Sequence, residues 1–195
     1  MRLPATWQDY QKLCQQRGDN SIPRLKYQPG EVLLMSPLPK HGRDASLIAD
    51  VIKTLLDYTG REYDSFTPVT IELLEEGGIE PDYCFYIEHW QAVSGKERID
   101  WSTDPPPDLV LEIDVTSYSN VNDYLPYRVP EVWLFRKNQL LIYQLQGIEY
   151  LIQPQSQYFS DINLQDLIAR CLQVAYARNT SAAIRELKQL LEHRE

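Results

Sequence analysis

The spacing of apolar and polar positions predicts two helices in the first third of the chain. Thr6 to Arg17 is expected to form a helix, with Asp9 three residues after the N-cap and Gly18 as the C-cap. The clearest amphipathic helix runs from His41 to Tyr58, because its apolar residues recur at helical spacing. These residues are Leu47, Ile48, Val51, Ile52 and Leu55.

Runs rich in β-branched and aromatic residues predict strands. A hairpin is expected from Arg24–Tyr27 to Glu31–Met35 across a Pro-Gly turn. The other predicted strands are Val69–Leu74, ended by Glu75-Glu76-Gly77-Gly78, the strand after Asp82, the 107–116 stretch, Val129–Phe135, Gln139–Leu145 and a strand ending at Ile152. Two terminal helices, Leu164–Arg178 and Thr180–His193, complete an α/β (α+β) chain in which helices flank a mixed β-sheet.

Two carboxylates stand inside the most apolar of these strands. Pro107 to Thr116 is predicted to be a buried strand, and it contains Glu112 and Asp114. Alternation along a strand places residues two apart on the same face. Because burying a carboxylate is costly unless it is paired or binds a metal, both acids are candidate functional residues.

A third acid, Asp82, follows Pro81 at the entry to an aromatic strand. If this strand pairs with the Glu112 strand, Asp82 and Glu112 converge at one edge of the sheet. A hard divalent cation such as Mg²⁺ relieves the repulsion between such carboxylates, and oxygen ligands suit it. A bound Mg²⁺ activates water and neutralises a phosphate in the transition state. The pattern therefore predicts a metal site for phosphodiester chemistry.

The net charge, hydropathy and cysteine spacing of the chain limit the classes of protein to which it can belong. The net charge of −9 argues against a protein that binds nucleic acid mainly through nonspecific phosphate contacts. No apolar run approaches the ~20 residues of a membrane span, and the start of the chain lacks the apolar core of a signal peptide. We therefore expect no membrane association and a cytoplasmic location. The three cysteines have no zinc spacing and are expected to be buried free thiols.

Four sequence motifs in a fixed order carry a family resemblance. They are M-S-P-L-P at 35–39, P-D at 81–82, P-D-L-V-L-E-I-D-V-T at 107–116 and V-P-E-V-W at 129–133. Over residues 24–150 the chain resembles the bacterial Uma-type (Uma two) family of putative restriction endonucleases. That family is assigned to the PD-(D/E)XK nuclease-like fold.

The resemblance implies a restriction-endonuclease-like central sheet that carries a metal site. Asp82 and Glu112 would be ligands of Mg²⁺ (or Mn²⁺), with the carbonyl of Ile113 as a third ligand, and DNA would be the substrate. We expect one domain over residues 1–195, with a nuclease-like core at 20–152 and a C-terminal helical appendage at 160–195. Because such folds often cut duplexes as two-fold dimers and the terminal helices are rich in leucine, we also expect a homodimer.

The chain departs from the family pattern at the lysine that normally completes such a site. Two residues after Glu112 stands Asp114, and no lysine occurs between Lys96 and Lys137. Asp114 is retained as a candidate catalytic residue. Other cations must then stabilise the developing charge.

Three residues are candidates for that cation. Lys26 stands where many relatives have an acid, His41 lies at the start of a predicted helix, and Arg128 ends the segment after the Glu112 strand. Lys26 and His41 are therefore added to Asp82, Glu112 and Asp114 as candidate catalytic residues.

Three functional hypotheses remain open from the sequence. The first is a Mg²⁺-dependent DNA endonuclease. The second is a degenerate nuclease fold that acts as a binding or regulatory module, which the missing lysine and the negative charge favour. The third is a hydrolase that uses its carboxylates as an acid–base pair without metal.

Overall fold

The computed structural model describes residues 1–18, 22–36, 38–67, 69–73, 77–114 and 119–193. Parts of several predictions lie outside these residues, at Pro37, Leu74, Glu75, Glu76, Val115 and Thr116. The strands are β1 Arg2–Ala5, β2 Arg24–Gln28, β3 Gly30–Met35, β4 Asp64–Phe66, β5 Ile71–Leu73, β6 Gly77–Ile79, β7 Tyr83–Tyr86, β8 Leu109–Asp114, β9 Glu131–Arg136, β10 Gln139–Gln146 and β11 Glu149–Gln153. The helices are α1 Trp7–Arg17, α2 Pro39–Tyr58, α3 Trp90–Val93, α4 Leu164–Ala177 and α5 Thr180–Glu192, and a 3₁₀ helix spans Val121–Tyr124.

The strands form two sheets. The larger sheet has the order β11-β10-β9-β8-β7-β4, and its β8–β9 pair is parallel while its other pairs are antiparallel. This mixed sheet confirms the predicted fold class. The smaller sheet, β1-β3-β2-β6-β5, is entirely antiparallel and was not predicted.

Three apolar clusters place these layers relative to one another. The largest joins α2, α4 and α5 to one face of the mixed sheet, where Leu109, Leu111 and Ile113 project from β8. A second cluster lies between the sheets and includes Val110 on the opposite face of β8. A third packs α1 against the outer face of the small sheet through Tyr10. The even-numbered residues of β8, Glu112 among them, therefore face the small sheet.

The predicted helices are confirmed to within two residues at each end. The first helix begins at a capping box, in which Thr6 and Asp9 satisfy each other's backbone N–H groups. The terminal helices bury leucines within the chain itself, as at Leu187 and Leu191. Those leucines are therefore no argument for a dimer. The division into a core at 20–152 and an appendage at 160–195 stays a prediction. No helix in the described part of the chain is long and apolar enough to cross a membrane.

The sequence analysis was wrong about Gly77 and Gly78, which were expected to end a strand. They instead begin β6, which joins β5 to β2. A Cβ atom at Gly78 would overlap the ring of Tyr10, and one at Gly77 would crowd the hydroxyl of Tyr127. The glycines are therefore needed for close packing rather than for a turn. The strands β1 and β4 were missed because they are short and carry no fully buried residue.

The glutamate of the V-P-E-V-W motif has a structural role. Glu131 is fully buried and accepts hydrogen bonds from Trp133 Nε1 at 2.6 Å and Ser156 Oγ at 2.5 Å. It also accepts from Gln144 Nε2 at 3.0 Å and from the backbone N–H of Gln157 at 2.9 Å. These bonds fasten the loop after β11 to the start of β9.

We expect Glu131→Ala to lower the free energy of unfolding by about 3 kcal/mol, because several buried donors would lose their acceptor. Chemical denaturation with urea measures this change. Glu149→Ala, at an exposed position of β11, is the matched control and should change stability by less than about 0.5 kcal/mol. Equal stability of the two variants would contradict the structural role of Glu131.

Candidate functional site

A cleft of about 220 Å³ opens beside the end of β8. The small sheet and the start of α2 form its walls. Its charged and polar lining consists of Arg24, Lys26, His41, Glu80, Glu112, Asp114, Ser36 and Ser119. Aliphatic side chains, including those of Met1, Leu33 and Leu38, form the rest of its surface. The cleft therefore combines an acidic strand end with cations from a different sheet.

Asp82 lies directly beneath this lining and is fully buried. Its Oδ1 accepts a hydrogen bond from the guanidinium of Arg24. Its Oδ2 accepts a 2.8 Å hydrogen bond from the backbone N–H of Ile113 and lies 3.2 Å from His41 Nε2. The carboxylate is thus tied to β8, paired with a guanidinium from β2 and in contact with an imidazole from α2, as a buried charge requires.

Glu112 reaches the cleft from the neighbouring strand, and the predicted pairing of the two acidic strands is confirmed by the β7–β8 ladder. Its Oε1 accepts a hydrogen bond from the hydroxyl of Tyr124. Burial and the nearby charge of Asp82 raise the pKa of Glu112 to about 8. The hydrogen bond from Tyr124 and the charges of Lys26 and Arg24 act in the opposite direction and lower it. Burial raises the pKa of Tyr124 as well, so that its hydroxyl remains a donor.

The third predicted oxygen ligand belongs to the backbone. In an extended strand the N–H and C=O groups of one residue point to the same side. Because the N–H of Ile113 bonds to Asp82, the carbonyl of Ile113 is directed towards that side of β8 too. No group of three or more His, Cys, Asp or Glu side chains in the described ranges is arranged to hold a metal.

The candidate cations occupy different positions around the cleft. Lys26 projects from β2, and its ammonium group pairs with the carboxylate of Asp123. His41 lines the cleft from the first turn of α2. Arg128 is not among the lining residues, and its Nη2 donates to the carbonyl of Gly147 at 3.3 Å. The structure therefore brings Lys26 and His41, but not Arg128, to the cleft.

Asp114 also lines the cleft, but its carboxylate is engaged by the next strand. Arg136, its register partner on β9, donates from Nε to Oδ2 at 2.7 Å. The side chain of Asp114 is only 1% exposed. This is the arrangement expected of a structural acid that is paired with arginine.

Among the charged and tyrosine residues at the cleft or beside it, four were not identified from the sequence: Arg24, Glu80, Asp123 and Tyr124. Strand alternation could have found Arg24, since it lies two residues before Lys26 and therefore on the same face of β2. Asp123 and Tyr124 lie in a polar segment where no local pattern marks a residue that contacts β2 or β8. Their role depends on how the 3₁₀ helix packs.

The fold is similar to that of a solved nuclease-like protein. The crystal structure of "a putative nuclease belonging to DUF820" from Anabaena variabilis aligns with a TM-score of 0.57 and 19% sequence identity. The alignment covers 83% of this chain and 94% of that chain. At this identity the likeness concerns the fold alone.

The family assignment rests on the sequence. Residues 7–176 match the model of the Uma2 family, which is described as "Putative restriction endonuclease". Because the match covers most of the chain, this protein belongs to that family, and the resemblance inferred from the four motifs is confirmed. No curated protein matches the chain.

The raised pKa of Glu112 predicts a pH-dependent stability. Between about pH 5 and pH 8 the folded protein keeps a proton on Glu112 that the unfolded chain releases, so the free energy of unfolding falls as pH rises. We expect a contribution of at most about 1.4 kcal/mol per pH unit. Glu112→Gln does not titrate and should gain stability relative to the wild type across this interval.

Urea denaturation at several pH values measures this difference. Glu149→Gln changes an exposed carboxylate and should follow the wild type at every pH. A constant difference between Glu112→Gln and the wild type would show that Glu112 has an ordinary pKa.

Proposed function

We propose that this protein is a metal-dependent nuclease that hydrolyses phosphodiester bonds of DNA. The observation that carries the proposal is the pair of carboxylates, Asp82 and Glu112, brought together by two paired strands beside a cleft that is lined by cations. The family match supports the reaction class. Cations in a cleft attract a phosphodiester, while acids beneath them supply ligands for a metal ion.

The donor atoms fit Mg²⁺ or Mn²⁺. Asp82, Glu112 and the carbonyl of Ile113 would hold the ion, and such oxygen ligands suit a hard divalent cation. Burial and the charge of Asp82 raise the pKa of Glu112, and a bound cation would offset both effects. When bound, the ion polarises the phosphate and lowers the pKa of a coordinated water. Arg24 donates to Asp82 Oδ1, so it would share that carboxylate with the ion or give it up.

The remaining groups act on the substrate by charge. Lys26 is the best candidate to replace the missing lysine, because it reaches the Glu112 side of the cleft from β2. Its ammonium group stabilises negative charge that develops on the phosphate. Arg24 balances the charge of Asp82, and the imidazole of His41 contacts the same carboxylate, so that a buried acid can lie beside an anionic substrate.

A cleavage assay tests the proposal. Supercoiled plasmid and short duplex or single-stranded oligonucleotides are incubated with the protein and Mg²⁺ or Mn²⁺. We expect cleavage that EDTA abolishes, and a loss of rate of about a hundredfold or more in Glu112→Gln, Asp82→Asn and Lys26→Met. Glu149→Gln is the control and should cleave at the wild-type rate. Cleavage that persists in Glu112→Gln would contradict the assignment.

A second candidate function is a degenerate nuclease fold that binds without cutting. It is favoured by the ion pair between Arg24 and Asp82, because a protein cation already neutralises that acid. Binding of DNA in a gel-shift or anisotropy assay, with no cleavage in Mn²⁺, would establish it. Cleavage unchanged by EDTA would instead favour the metal-free acid–base hydrolase. The homodimer and the cytoplasmic location remain predictions from the sequence.

A further inference from the structure

Two consecutive residues of the 3₁₀ helix Val121–Tyr124 hold the two groups on which the proposed reaction depends. The carboxylate of Asp123 pairs with the ammonium group of Lys26 and also accepts from the side-chain amide of Gln28. The hydroxyl of Tyr124 donates to Glu112. One short turn therefore contacts the candidate cation on β2 and the candidate ligand on β8.

The turn is built to hold these side chains in place. Asn120 and Asp123 form a capping box, in which Asp123 Oδ2 accepts from the N–H of Asn120 at 3.2 Å and Asn120 Oδ1 accepts from the N–H of Asn122 at 3.1 Å. The hydroxyl of Tyr150 lies 3.4 Å from the carbonyl of Tyr124. The capping-box bonds fix the backbone of the turn locally, and the Tyr150 hydroxyl from β11 lies beside it.

The pairing of Lys26 with Asp123 takes place away from bulk water. Their side chains are 15% and 9% exposed. A lysine ammonium group sits on a flexible stem with four carbons, so an unpaired Lys26 would sample many positions. Gln28 lies on the same face of β2 and binds the other oxygen of the same carboxylate, which fixes the orientation of Asp123.

We propose that Asp123 and Tyr124 are positioning residues: Asp123 directs the ammonium group of Lys26, and Tyr124 fixes the carboxylate of Glu112. The inference rests on the proposed function, since it assigns these residues to the same reaction. The turn follows β8 in the chain, whereas Lys26 belongs to β2. The turn thus orients a lysine that comes from another strand.

Kinetics of DNA cleavage test the role of Asp123. We expect Asp123→Asn to lower kcat about tenfold or more with little change in KM, because partners that orient a functional group typically contribute 10- to 100-fold. Asp123→Glu keeps the charge and should recover part of the loss. The matched control is Asp104→Asn, which breaks a lysine–aspartate pair with Lys96 outside the cleft and should leave kcat unchanged.

Metal binding tests the role of Tyr124 without requiring turnover. We expect Tyr124→Phe to weaken Mn²⁺ binding severalfold in titration calorimetry, because Glu112 loses the bond that holds it. Tyr158→Phe is the control, since it removes one hydroxyl bond, of 3.1 Å to the carbonyl of Asp108, away from the cleft. Unchanged Mn²⁺ affinity in Tyr124→Phe, with binding by the wild type, would overturn this half of the inference.

Chemical labelling tests the contact between Asp123 and Lys26 independently of activity. The rate at which a water-soluble amine reagent modifies Lys26, followed by peptide mass spectrometry, should rise severalfold in Asp123→Asn. Modification of Lys96 should not change in that variant. An unchanged rate at Lys26 would show that Asp123 does not hold this lysine and would overturn the inference, even if the wild type cleaves DNA.

The outcomes separate the two proposals. Cleavage by the wild type with unaltered kcat in Asp123→Asn removes the positioning role and leaves the nuclease assignment intact. No cleavage by the wild type with either metal removes the nuclease assignment, and the catalytic role of the turn falls with it. Lower kcat together with faster labelling of Lys26 and unchanged thermal stability supports both.

Discussion

The site depends on the cost of placing two carboxylates, Asp82 and Glu112, on neighbouring strands inside the protein. Burial of Glu112 and, second to it, the charge of Asp82 both raise the pKa of Glu112. Three different elements offset that cost: β2 supplies Arg24, α2 supplies His41, and the 3₁₀ helix supplies Tyr124. The small sheet is therefore an electrostatic partner of the mixed sheet as well as a layer packed against it.

The polar face of β2 is the clearest consequence of this constraint. Its alternate residues Arg24, Lys26 and Gln28 all turn towards the acids of other elements, while Leu25 and Tyr27 pack under α1. One face of β2 thus packs into an apolar cluster, and the other face carries the polar groups that reach the cleft. An ammonium and a guanidinium are brought to the acids by a chain segment more than 50 residues away from them in sequence.

The missing site lysine changes how charge is distributed around the cleft. In this chain the position two residues after Glu112 carries Asp114, which pairs with Arg136 on β9 and strengthens the parallel β8–β9 connection. Positive charge enters from β2 instead, and Asp123 restrains it. Groups of the chain itself bond both acids, Arg24 to Asp82 and Tyr124 to Glu112, which suits both a nuclease and a module that only binds.

The sequence by itself determined the long helices, most of the strands and the acidic pair, because these follow from local rules. Helical periodicity placed α2, the capping box placed the start of α1, and a proline–aspartate pair with an acid inside an apolar strand marked Asp82 and Glu112. Only the tertiary structure decided the partners of these acids. The second sheet is built from short strands with weak patterns, and Asp123 meets Lys26 across 97 residues of sequence. Such contacts arise from packing between layers, which no local periodicity encodes.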